Sequence, residues 1–138
     1  MTETLEDIQD NFSLFDDWEE RYRYLIDLGR SLPDMPEAQK TDDALVKGCT
    51  SRVWLHVNKD DNGVFTFDAD SDAHIVRGLI ALLLSAYNGK TADQIAQVNI
   101  DDFFSAIGLD QHLSPNRRNG FFAMVEKIKL YSSASAAA

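Results

Sequence analysis

Between Arg52 and Asp68 the side chains alternate with a period of two on either side of an Asn62-Gly63 pair. Val53, Leu55 and Val57 point one way and Trp54 and His56 the other, while Phe65 and Phe67 share a face after the turn. Asn-Gly between two such runs is a strong hairpin signal, because both residues tolerate the positive φ of a tight turn. Leu45-Val46 adds a short strand just before the hairpin, so the sequence predicts a small antiparallel sheet of three strands. A sheet that small becomes stable only by burying a face, which calls for helices.

The flanking chain supplies them. Ile75, Val76, Leu79, Ile80, Leu82, Leu83, Leu84 and Tyr87 cover most of the circumference of a helix ending near Asn88, as expected for the buried centre of a domain. Asp70-Ser71-Asp72 is expected to cap its start. Gly78, in its interior, suggests close approach of another backbone.

Before the sheet, amphipathic spacing predicts helices over about 4–15 and 17–30, the second opened by Asp17 with Glu20 three residues on and ended by Gly29 and Pro33. Ser31 to Asp43 has no period and reads as a loop. After the sheet, Thr91-Ala-Asp-Gln94 has the spacing of a capping box for a short helix to about Gln97, and Asp101 to Ile107 forms another. Ser114-Pro115 starts the last helix, which runs to about Tyr131 and buries Phe121, Met124, Val125 and Ile128. The expected fold class is α+β, a single domain over residues 1–131, with 132–138 a frayed tail.

Charge removes whole classes of function. The 138 residues carry a formal charge of −10. Nucleic acid and anionic membrane surfaces are both bound through basic surface, so neither is an expected partner. The longest apolar run, Leu79 to Leu84, has six residues, against about 20 for a membrane-spanning helix. Met1-Thr2-Glu3-Thr4 has no signal-peptide character. The expected compartment is the cytoplasm. A single cysteine excludes an internal disulfide and any self-sufficient thiolate zinc or iron–sulfur site.

That cysteine, Cys49, stands in Lys47-Gly48-Cys49-Thr50-Ser51-Arg52. Free cysteine often serves as a small buried hydrophobe. Against this, its Gly, Thr and Ser neighbours indicate a turn between strands. Lys47 and Arg52 favour the reactive thiolate, and Gly48 permits a backbone that projects the next side chain. A cysteine hydrolase or thiol peroxidase would need a histidine base, for which His56 on the adjacent strand is the candidate. His74 and His112 lie on other elements, and no metal site is expected from three scattered histidines. Arg117 and Arg118 sit in the first turn of the last helix, where cations oppose the helix dipole. Either could order the cysteine segment or stabilise a sulfur anion. Asp70 and Asp72 are candidate ion-pair partners for them.

Three segments together resemble the SufE-like sulfur acceptors: Val46-Lys-Gly-Cys49-Thr-Ser-Arg-Val-Trp54, Asp70-Ser-Asp-Ala-His-Ile-Val-Arg-Gly-Leu-Ile80 and His112-Leu-Ser-Pro-Asn-Arg-Arg-Asn-Gly120. The resemblance implies the fold shared with IscU-type scaffolds, a three-stranded antiparallel sheet with helices on one face. It also implies a function. Cys49 would take persulfide sulfur from a cysteine desulfurase (SufS- or CsdA-like), stimulate it, and pass the sulfur on to an iron–sulfur scaffold. Pyridoxal phosphate would belong to the desulfurase and no cofactor to this chain, which would be an accessory protein rather than an enzyme. Arg117 matches the arginine of the family's Ser/Thr-Pro-x-Arg motif, whereas Arg118 departs from some relatives. Lys47, Gly48, Thr50, Ser51, Arg52, Asp70 and Asp72 are the expected partner-contacting residues around Cys49.

Overall fold

A computed structural model of the chain describes residues 5–46 and 52–137. The fold is α+β. The hairpin forms as the alternation predicts, with β1 (Val53–Lys59) antiparallel to β2 (Val64–Ser71) from Val53↔Ser71 to Lys59↔Phe65. The Asp60 carboxylate accepts from the backbone N–H of Asn62 and of Val64, both at 2.9 Å. Gly63 takes the positive φ of 79°. The third strand is not the one expected. Leu45 makes only an isolated bridge to Trp54, and β3 (Lys90–Thr91) instead pairs with Val64 and Phe65 on the other side of β2. Two residues are too few to show a period.

Alternation along β1 gives each face a different cover. Val53 and Leu55 join Phe65 and Phe67 in the main core, whereas Trp54 faces away, into a smaller cluster with Met35 and Ala44. The predicted loop after residue 30 therefore has a packing role. It contains single turns at Glu37–Gln39 and Asp42–Ala44 and roofs the second face of the sheet. Lys40 Nζ stands 5.2 Å above the Trp54 ring, close enough for a cation–π contact.

The first face is covered by α3 (His74–Tyr87), with α1 (Leu5–Ser13) and α2 (Trp18–Arg30) beside it. Nine residues of α3 are buried, as the apolar circumference predicts. Gly78 has the expected close neighbour: an added Cβ would collide with the Leu25 carbonyl oxygen of α2. Gly29 does not end α2. It lies in the last turn, where a Cβ would come within 2.6 Å of Gly78 N, so two glycines let these helices touch backbone to backbone. Asp17 does cap α2, accepting from Glu20 N at 2.8 Å. Asp70-Ser71-Asp72 does not cap α3. Asp70 and Ser71 complete β2, and the residue before the helix is Ala73, which supplies no side-chain cap.

The C-terminal helices complete the main core. The Thr91–Gln94 capping box opens α4 (Ala92–Ala96), and α5 (Ile100–Ala106) is followed by α6 (Leu109–His112), a single turn that the sequence pattern does not reveal. α7 (Pro115–Ala137) buries Phe121, Met124, Val125 and Ile128 as expected. It continues through the stretch predicted to fray, where Ala is the best helix former and Ser132 is buried with its hydroxyl on Lys129 O.

Tyr87 lies fully buried at the end of α3, and its hydroxyl has no hydrogen-bond partner. Burial, helped by the nearby negative charge of Asp101, pushes its pKa from 10.0 up to about 12. The neutral phenol is thus favoured in the fold, and its contribution is complete below pH 10 and lost as pH rises through 12. Tyr87→Phe, which keeps the ring and removes the orphan hydroxyl, should be neutral or stabilising at pH 8. Its advantage over the parent should grow by about 1 kcal/mol at pH 11. Urea unfolding of both proteins at the two pH values checks this; a constant difference would contradict it.

Candidate functional site

Lys47, Gly48, Cys49, Thr50 and Ser51 lie outside the described residues. The structure does position the two ends of the chain that carries them. On the incoming side Val46 N donates to Val53 O at 2.8 Å, and Lys127 Nζ of α7 donates to Leu45 O at 3.1 Å. On the outgoing side Arg52 N donates to Asp72 Oδ1 at 3.1 Å, and Arg52 O accepts from Asp72 N at 3.3 Å and from Ser71 Oγ at 2.7 Å. Arg52 and Asp72 are thus brought together, both exposed, where β1 begins and β2 ends. Because consecutive Cα atoms are 3.80 Å apart, the Cys49 Cα lies within about 11 Å of those of Val46 and Arg52. Val46 and Arg52, the described residues on either side of the cysteine segment, thus form a stem at one end of the sheet, beside the start of α3.

Beneath this stem is a buried charge network. Asp70, opposite Trp54 in the register, is 2% exposed. Its Oδ1 accepts from Ser71 N at 2.7 Å and from Arg77 Nη1 at 2.8 Å. Oδ2 accepts from Met35 N at 3.1 Å, with Lys40 Nζ 3.9 Å away. Arg77 also donates to Gly29 O (3.2 Å), Leu32 O (2.6 Å) and Asp34 Oδ1 (3.0 Å). One aspartate and one arginine thereby fasten the end of β2, the end of α2, the roofing loop and α3 to each other. Asp70 presents no surface to a partner, contrary to its expected role, and its ion pairs are with Arg77 and Lys40 rather than Arg117 or Arg118. Sequence reasoning missed Arg77. Its one signal was a cation within an otherwise apolar helix, seven residues after Asp70.

Arg117 lies elsewhere. It is exposed, its N–H donates to Ser114 Oγ at 3.3 Å, and Nη1 donates to Tyr22 OH at 2.6 Å. Lys127, which reaches the stem, is ten residues further along the same helix, about 15 Å at 1.5 Å per residue. Arg118 Nε is buried without a partner. His112 stacks on Trp18 with ring centroids 4.2 Å apart. His56 Nε2 is 2.6 Å from Gln39 O. A carbonyl only accepts, so that nitrogen carries the proton and Nδ1 alone remains as a base. Among the described residues no group of three His, Cys, Asp or Glu could hold a metal ion, and no helix is long and apolar enough to cross a membrane.

Two comparisons with known proteins name a family, and a third supports the fold. Residues 6–132 match the SufE family model, described as an Fe-S metabolism associated domain. An uncharacterised SufE-like protein of Rhizobium meliloti is 46% identical over 129 residues, covering 91% of this chain and 92% of that protein. Another, of Rhizobium etli, is 46% identical over 138 residues, covering 98% and 93%. The solution structure of a hypothetical protein from Thermus thermophilus superimposes with a TM-score of 0.76 over 97% of this chain and 96% of that one. At 18% identity it supports the fold alone. With the family model spanning the whole core and two relatives matching along almost their full lengths, this chain belongs to the SufE family of Fe-S metabolism associated domains.

Proposed function

We propose that the protein accepts sulfane sulfur on Cys49 from the persulfide of a pyridoxal-phosphate-dependent cysteine desulfurase, stimulates that enzyme by removing its product, and delivers the sulfur for iron–sulfur cluster assembly. The observation that carries this is the family match over residues 6–132 in a chain whose single cysteine lies between two bases. The fastened stem supports it, since transfer between two sulfur atoms requires a segment presented for contact.

The chemistry balances without another reagent. The Cys49 thiolate attacks the outer sulfur of the desulfurase persulfide, a new S–S bond forms and the old one breaks. The desulfurase cysteine leaves as thiolate, and the outer sulfur keeps its proton as it moves onto Cys49. Rate in such exchange depends on the thiolate fraction and on access, and Lys47 and Arg52 favour the thiolate. The chain's own part is nucleophile, presentation and docking; the cofactor that releases sulfur from cysteine sits in the partner.

Adding the protein to a SufS-type desulfurase with cysteine and no reductant should raise alanine production several-fold. A strong reductant, which clears the desulfurase persulfide by itself, should reduce that gain. A turnover unaffected by the protein under both conditions would sink the proposal.

A further inference from the structure

Beside the stem lies a groove that the network above does not use. α7 and the segment before Cys49 enclose about 550 Å³ lined by Leu45, Val46, Ala123 and Leu130, with Asp42 and Glu126 also on its walls. Leu130 is 66% exposed. A lone exposed leucine needs no explanation, but this one borders an apolar groove. Lys127, the cation in the lining, is already committed to Leu45 O and stands 5.7 Å from the Tyr131 ring. Those contacts leave its charge in place, so two carboxylates, Asp42 and Glu126, against one ammonium give the lining a net charge of −1, on a chain of formal charge −10.

We propose that this groove is where the cysteine desulfurase docks, receiving an apolar side chain flanked by Lys or Arg from the enzyme's surface. The inference rests on the sulfur-acceptor reading and adds the contact surface. Sulfur transfer puts Cys49 inside the interface, and Val46, a wall of the groove, lies within about 11 Å of it along the chain. A standard interface buries about 800 Å² per partner, a patch with a radius of roughly 16 Å if circular. An interface centred on Cys49 thus covers the near wall of the groove. The exposed leucine and the acidic walls then select an apolar and basic counterpart.

The test titrates the pyridoxal-phosphate-loaded SufS-type desulfurase with the parent, Leu130→Ser and Glu126→Lys. Both side chains are exposed, so the fold should tolerate either change, with circular dichroism as the check. Each variant should bind about tenfold more weakly, and Glu126→Lys should flatten the salt dependence of binding. Loading of Cys49 from glutathione persulfide, which needs no docking, should be unchanged in both. Affinities within about twofold of the parent for both variants would overturn the groove. So would a shift of Leu130→Ser from dimer to monomer in sedimentation with desulfurase affinity intact, because the groove would then serve a second copy. A parent that neither binds the desulfurase nor takes sulfur from it would overturn the acceptor reading itself, and the groove with it.

Discussion

Cys49→Ser should return desulfurase turnover to the level seen without the protein while leaving the affinity for the desulfurase within about threefold. Serine differs by one atom, yet its hydroxyl is neither ionised at neutral pH nor able to hold sulfane sulfur as a persulfide. No second thiol can compensate, because the chain has one cysteine. The contacts that hold the stem run through Leu45, Val46, Arg52, Ser71, Asp72 and Lys127, and the substitution changes none of these residues. The unfolding free energy should therefore change by no more than about 0.5 kcal/mol. Alanine production and urea unfolding, run side by side, separate chemistry from stability. Full stimulation by the serine variant would instead describe an adaptor that acts by binding alone.

Asp70→Ala should destabilise the protein by about 3–5 kcal/mol, the usual effect of removing one partner from a buried ion pair. The alanine would leave the N–H groups of Met35 and Ser71 without their acceptor. It would also leave Arg77, with a side chain only 16% exposed, without the carboxylate nearest its Nη1. Arg77→Met should cost less than Asp70→Ala, because methionine fills much of the space and Asp70 keeps the N–H groups of Met35 and Ser71 and the Lys40 cation as partners. The double variant should be more stable than the sum of the two losses implies, since the second change removes the charge stranded by the first. Urea unfolding of all four proteins gives the coupling. A loss below about 1 kcal/mol for Asp70→Ala would mean that the pair is not the fastening described.

What the sequence shows of this fold is what local chemistry can specify. The hairpin follows from alternation and Asn62-Gly63, the buried helix from its apolar circumference, and the Thr91–Gln94 box from two side chains that satisfy each other's backbone. The misses are tertiary. Asp70-Ser71-Asp72 has the composition of a helix cap, but Asp70 and Ser71 are drawn into β2 by pairing with Trp54 and Val53. Gly29 has the look of a helix stop, yet it serves the contact with Gly78. The hub at Arg77 left little trace beyond a cation in an apolar helix, because Gly29 and Leu32 receive it through backbone carbonyls, which carry no side-chain signature.

The site is legible in a different way. Cys49 stands out through its immediate neighbours and the family resemblance, which need no three-dimensional information. Arg52 and Asp72, expected beside it from the sequence, do meet at the stem, whereas Asp70 turns inward and Arg117 bonds Tyr22 along α7 from Lys127. Lys127 was missed because its link to Leu45 spans 82 positions and again ends on a backbone carbonyl.

The central claim is a sulfur atom on Cys49. The protein should be incubated with a SufS-type desulfurase and cysteine, quenched without reductant by alkylation, digested, and the Cys49 peptide weighed. The account predicts one added sulfur on that peptide, absent when cysteine is omitted and removed by reductant. A peptide that stays unmodified while the desulfurase itself carries persulfide would contradict it.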